Sequence, residues 1–243
     1  MHGTWLLAKA EIYRLRRNRR YLVMSVALPI VLYLLIGTRV KNSPTYGVAF
    51  AAYYMVAMAT FGSFSGALMN NSVRISQERK EGWIRQLRLT PLPSSAYVIA
   101  KLIAAMAITI PSVIIVMLLG RFVGDVRMPV ASWVTITVVI VLGSLLFAAL
   151  AVAIGYRFQP DQVQPIATIL YFVFIVLGGV FFPLSGMIQK IGQYTPAYEA
   201  VKISTDVIAG ASVSAGLAVG MVVWLTVFVG LATLSVRSMA EVV

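Results

Sequence analysis

The 243-residue chain has no cysteine and one histidine, His2, beside the amino terminus. The first absence excludes disulfides, thiol chemistry and cysteine-based metal sites. The second leaves no histidine cluster for catalysis or metal binding. Charge is scarce as well: 12% of residues are charged and 60% are hydrophobic, against about 25% charged in an ordinary globular chain. With a mean hydropathy of +0.88, this is the composition of a polytopic membrane protein. No G-x-x-x-x-G-K-[ST] phosphate cradle occurs, so the chain has no visible means of holding a nucleotide. H-E-x-x-H and G-x-S-x-G are absent too, which argues against an intramembrane enzyme.

What is present are six apolar runs, at 21–38, 47–70, 96–119, 131–155, 163–182 and 214–236. Each is long enough to cross the ~30 Å hydrocarbon layer as a helix of about 20 residues. The predicted fold is an all-α integral membrane protein with six transmembrane helices. The interiors carry no Asp, Glu, Lys or Arg, with Lys101, near the start of the third run, counted in the loop before it. Proton- and sodium-driven carriers generally hold ionisable groups at mid-depth. Their absence points to a pathway powered from outside the membrane, and to a cargo with much apolar surface. The first run follows a basic leader and lacks a small-x-small cleavage site, so it reads as a span and not as a secretory signal.

The net charge of +12 is unevenly distributed. Fourteen Lys and Arg fall on one side: Lys9, Arg14, Arg16, Arg17, Arg19 and Arg20; Arg74, Arg79, Lys80, Arg85, Arg88 and Lys101; Arg157; and Arg237. Six (Arg39, Lys41, Arg121, Arg127, Lys190, Lys202) fall on the other. The positive-inside rule then places both termini and the second loop in the cytoplasm. The basic excess is a signal of topology and lipid contact, not of nucleic acid. Residues 1–20 form a candidate interfacial helix, with Trp5, Ala8, Ile12 and Leu15 on one face and Lys9, Arg16 and Arg20 on another. A disordered basic leader is the alternative.

The second loop, SQERKEGWIRQLRLTPLPSS, crowds seven ionised groups between Arg74 and Arg88. Residues 76–89 suit a short helix with Trp83, Ile84 and Leu87 on one face, and Glu81 and Arg85 form a favourable i,i+4 pair. Thr90-Pro91-Leu92-Pro93 stops it. A helix this short is marginal in water. It must pack on the bilayer, on the protein's own spans, or in a groove of a cytoplasmic partner.

At this point the sequence resembles the membrane subunit of ABC exporters of the type 2 permease family. The run E-RKE-GWIRQLRLTPLPSSAYVIAK carries the first part of the resemblance. GGVFFPLSGM followed by IGQYTPAYEAV carries the second, and the order of segments extends it over nearly the whole chain. One departure is Met187-Ile188, where the family often has Pro after Met. The resemblance implies two permease copies, here a homodimer, with two separate ABC ATPase subunits that use ATP and Mg. This chain would bind no cofactor and no metal, and would have no catalytic residue. It implies that the loop holds a coupling helix, which assigns Glu81, Gly82, Trp83, Ile84, Leu87, Arg88, Thr90 and Pro91 to ATPase contact. Arg16, Arg17 and Arg19 are candidates for a second contact with ATPase or lipid. A bacterial inner membrane location follows, and residues 183–212 become a re-entrant external segment, where the residues alone also allow a surface-lying connector.

Gly62, Ser65 and Gly66 form a small-residue face in the second run. Such a face suits close helix packing within the chain or the lining of a cargo route. Phe174, Phe181 and Phe182 around the fifth run leave the same choice between packing and cargo contact. The expected cargo is a hydrophobic or amphiphilic drug, antibiotic or lipid-like molecule, making the protein an efflux permease. Export of a glycan or lipid-linked carbohydrate, or a non-transporting scaffold or sensor, are the alternatives.

Overall fold

The structure, a computed structural model, describes residues 5, 7, 9–11, 13, 19–40, 43–89 and 94–240. Trp5, Leu7, residues 9–11 and Tyr13 are helical. Ala8, Ile12 and Leu15, on which the amphipathic reading of residues 1–20 depends, lie outside the described residues.

Apolar runs satisfy their backbone groups in lipid only as helices or closed barrels, and here they fold as helices. α1 (Arg19–Leu32) continues into a π-turn, Tyr33–Gly37. A small antiparallel hairpin follows, β1 (Pro44–Thr45) and β2 (Val48–Ala49), with Thr45 opposite Val48. This hairpin is a departure from the all-α expectation. Next come α2 (Phe50–Ser65), a π-turn at Gly66–Asn70, and α3 (Asn71–Lys80), consecutive stretches of one helical rod. From residue 50 to residue 80, at 1.5 Å per residue, the rod is about 45 Å long. It outruns the ~30 Å hydrocarbon layer, so its charged end projects. Beyond it lie α4 (Trp83–Arg88), α5 (Ser94–Phe122), α6 (Val130–Arg157), α7 (Pro160–Leu177), α8 (Gly186–Gly192), α9 (Pro196–Ala209) and α10 (Ala215–Ala240).

Among the described residues, four stretches are long and apolar enough to cross a membrane: Tyr97–Phe122, Val130–Arg157, Pro160–Leu177 and Ala215–Val236. Val26–Gly37 is apolar but shorter. α2 has 16 residues before its geometry changes to π, so the regular helix ends there although the rod does not. The predicted run at 163–182 is shifted: α7 begins at Pro160, fixed by a Gln159–Gln162 capping box, and ends at Leu177.

α2 and α6 form the centre. Every residue of α2 from Ala51 to Phe64 is buried, as expected of a helix that is apolar all round. α6 packs against α10, α3, α5 and α9. Aromatic rings bind these layers together. Phe64 stacks on Phe147 at 4.4 Å, Phe147 meets Phe174 edge-on at 5.5 Å, and Phe174 meets Trp224 at 5.7 Å. Buried tyrosines find backbone acceptors, as buried hydroxyls must: Tyr171 donates to the Phe61 carbonyl at 2.8 Å, and Tyr53 to that of Gly179.

Within 183–212, the chain forms α8 and α9. Thr195 caps α9, accepting from the Tyr198 amide at 3.4 Å, and Pro196 starts its first turn. Ala197, Ala200, Val201 and Ser204 are buried, and α9 packs on α6 and α2. α9 is therefore packed among the chain's own helices, whereas α8 exposes Met187, Ile188 and Ile191.

Candidate functional site: the charged end of the helical rod

The predicted single helix over 76–89 is two helices. α3 is the extension of the α2 rod, and it ends at Lys80. The Glu81 amide donates to the Gln77 carbonyl at 2.9 Å and that of Gly82 to the Arg79 carbonyl at 3.1 Å. Gly82 then adopts φ +75°. That left-handed backbone is easy for glycine and costly for residues with a Cβ, and it redirects the chain into α4.

The resulting hairpin is anchored twice. The first anchor is ionic. On α3, Arg74 reaches Glu11 of the amino-terminal segment at 2.6 Å and Glu78 at 3.6 Å. Lys101 of α5, only 2% exposed, lies 2.7 Å from Glu78 and 3.1 Å from Glu11. Tyr97 donates to Glu78 at 2.6 Å. Two cations face two anions, so the cluster is neutral, which is what makes its burial tolerable. Lys101 thus belongs inside α5, the helix of the third apolar run, and its assignment to the preceding loop is corrected.

The second anchor joins α3 to the end of α6. Arg79 donates to the Tyr156 carbonyl and, at 2.6 Å, to the Phe158 carbonyl, which also accepts from Ser76 at 3.0 Å. A cation on the last carbonyls of a helix is favoured by the helix dipole. Burial draws the Arg79 pKa below its ordinary value. Between the two anchors lies a small apolar core of Ile75, Ile84, Tyr97, Val152, Ala153, Tyr156 and Ala232.

The residues assigned to ATPase contact therefore divide. Ile84 is 9% exposed and packs into that core, with Trp83 half-buried against it. Trp83 and Ile84 of this face thus pack on the protein's own spans. Glu81, Gln86 and Leu89 are exposed, Leu89 to 86%. Leu87 and Arg88 are positioned by the α4 backbone, and Arg19 opens α1. Thr90, Pro91, Arg16 and Arg17 lie outside the described residues. Glu11, Arg74, Glu78, Arg79 and Lys101 were not foreseen as a group. The only local signal was the i,i+4 spacing of Arg74 and Glu78.

The predicted cargo residues occupy different surroundings. Gly62 and Gly66 are buried inside the chain and Ser65 is half-buried, the close-packing alternative. Phe174 belongs to the aromatic ladder, Phe181 rests on Phe61 at 5.4 Å, and Phe182 is exposed. An open cavity of about 630 Å³ lies instead between α9 and α10, at the opposite end from the charged hairpin, with Tyr194, Tyr198, Glu199, Lys202 and Leu217 in its wall. Glu199 is 4% exposed there, and its Oε2 has no hydrogen-bond partner. Burial pushes its carboxyl up to about 7.

Long apolar helices around a central helix, α2, buried from Ala51 to Phe64, with a charged hairpin anchored to α5 and α6, define a helical integral membrane protein. The chain belongs to the ABC-2 type transporter family, whose sequence model matches residues 2–208. It is also 29% identical over 206 residues to the protein named "Putative transport permease YvfS" of Bacillus subtilis (strain 168), with 84% of each chain covered. The family is one of transport permeases and not of enzymes.

Proposed function

We propose that the chain is the membrane subunit of an ATP-driven exporter, working as a homodimer with two copies of a separate ABC ATPase that uses ATP and Mg. α1 with its π-turn, α2, α5, α6, α7 and α10 serve as the six spans. Both termini and the α3–α4 hairpin face the cytoplasm of a bacterial inner membrane. The cargo is a hydrophobic or amphiphilic molecule of the drug, antibiotic or lipid class.

One observation carries this reading: the hairpin is bonded to the amino-terminal segment, α5 and α6 at once. A push on α4 by a closing ATPase is transmitted to two membrane helices, α5 and α6, and to the amino-terminal segment, and is not absorbed by a loose loop. The exposed Glu81, Gln86 and Leu89 would meet the ATPase, while Trp83 and Ile84 pass the force inward. The test uses the chain co-purified with its ATPase in proteoliposomes. Arg79→Ala is expected to keep the ATPase bound and hydrolysing while lowering cargo transport at least tenfold. Undiminished transport in Arg79→Ala, or recovery of the chain without any Walker-motif ATPase, would sink the proposal.

A further inference from the structure

The cavity between α9 and α10 contains an unbalanced charge. Lys202 and Asp206 neutralise each other at 2.5 Å, which leaves Glu199 as the carboxylate without a partner. It is held there by shape: a Cβ on Gly220 of α10 would collide with Glu199 Oε1, so glycine at 220 allows the carboxyl to lie against that helix. An unpaired buried carboxylate is costly unless it is neutralised. Between ligands a proton can do this, since burial raises the group to about 7.

A divalent metal is a poor fit, because among the described residues no three acidic, histidine or cysteine side chains come together. An organic cation fits better. Tyr194 and Tyr198 line the same wall, and aromatic faces attract quaternary cations. Leu217 supplies apolar surface, and about 630 Å³ is drug-sized. We propose that this cavity binds an amphiphilic monovalent organic cation of the ammonium or phosphonium class, with Glu199 as its counter-charge and Tyr194 and Tyr198 as its aromatic wall. Its role as a cargo site on the release side rests on the exporter reading. Binding itself requires neither ATPase nor transport.

The test uses the full chain in nanodiscs of zwitterionic lipid. Equilibrium dialysis is run with tetraphenylphosphonium and with tetraphenylborate, which has the same shape and the opposite charge. The wild type is expected to bind the phosphonium saturably and the borate at least tenfold more weakly. Glu199→Gln should lower phosphonium affinity at least tenfold. Gly216→Phe should do the same by filling the cavity, since a Cβ at 216 makes only an ordinary 3.5 Å contact with Ser214 Oγ. Phosphonium affinity within twofold of wild type in either folded variant overturns the proposal, as does equal binding of the borate. If Glu199→Gln fails to fold, Gly216→Phe and the borate comparison decide. A failed binding test leaves the exporter reading intact, and a missing ATPase leaves the cation site intact.

Discussion

Lys101 shares with Arg74 the neutralisation of two carboxylates from two different segments, so its removal leaves one cation facing two anions. Breaking a buried ionic cluster from one side costs about 3–5 kcal/mol, more than the cluster contributes relative to an apolar replacement. Lys101→Met is therefore expected to destabilise the protein by about that amount in reversible unfolding from detergent micelles. Adding Glu78→Gln should recover part of the loss, because it removes one stranded charge. Glu199 predicts a pH effect of definite sign. Its carboxyl holds a proton up to about 7 in the folded chain, against 4.5 ordinarily, so the native state binds more protons across that window. Stability must then fall as pH rises from about 4.5 to about 7 and level off above. The groups facing it from the cavity wall are Tyr194, Tyr198 and the paired Lys202 and Asp206; Gly216, Leu217 and Gly220 of α10 carry no charge. Thermal midpoints of the wild type should follow this slope, and those of Glu199→Gln should lose most of it.

Among the elements, the α3–α4 hairpin depends on its turn. A Cβ at residue 82 has open space around it, so the difficulty with substitution there is backbone conformation and not crowding. Gly82→Ala should cost of order 1–2 kcal/mol from the left-handed φ, and Gly82→Asn less. On the proposed exporter function, the loss should fall on coupling more than on global stability: ATP hydrolysis per molecule exported, measured in proteoliposomes, is expected to rise. This hairpin also shows where the sequence stopped being informative. Its helical character and the placing of Trp83 and Ile84 on one apolar face were legible from spacing. The burial of Ile84 was not, because its neighbours Val152, Tyr156 and Ala232 come from helices far away in sequence. A helix with one apolar face looks the same whether that face meets a partner or the chain's own core. Glu199 was missed for a related reason: one acid in a mixed segment gives no local sign that α10 closes over it.

For the molecule as a whole, hydropathy located the long helices well, since apolar runs of this length have few other options in lipid. It could not show that α2 is enclosed by the others while α10 is mostly exposed, with Val219, Val222 and Leu234 each at least 60% uncovered. Both helices are apolar throughout, and composition does not distinguish contact with lipid from contact with protein. The sidedness drawn from Lys and Arg counts is open to direct measurement. Because the chain has no cysteine, single cysteines can be introduced without background. A cysteine replacing Leu89 is expected to react with an impermeant maleimide only in inside-out vesicles, and one replacing Met187 only in right-side-out cells. The opposite pattern would invert the topology.

The π-turn at Gly66–Asn70 does more than lengthen a helix. One extra residue in a helical turn advances every later side chain by about 100° around the axis. The rod is thus a shaft with a phase change built into it. Upstream, its small residues are set for contact among apolar neighbours. Downstream, Arg74, Glu78 and Arg79 are aimed independently at α5 and the end of α6. A single-residue insertion or deletion at this joint would leave the rod helical yet turn its charged end away from its partners, so length there is constrained as tightly as identity.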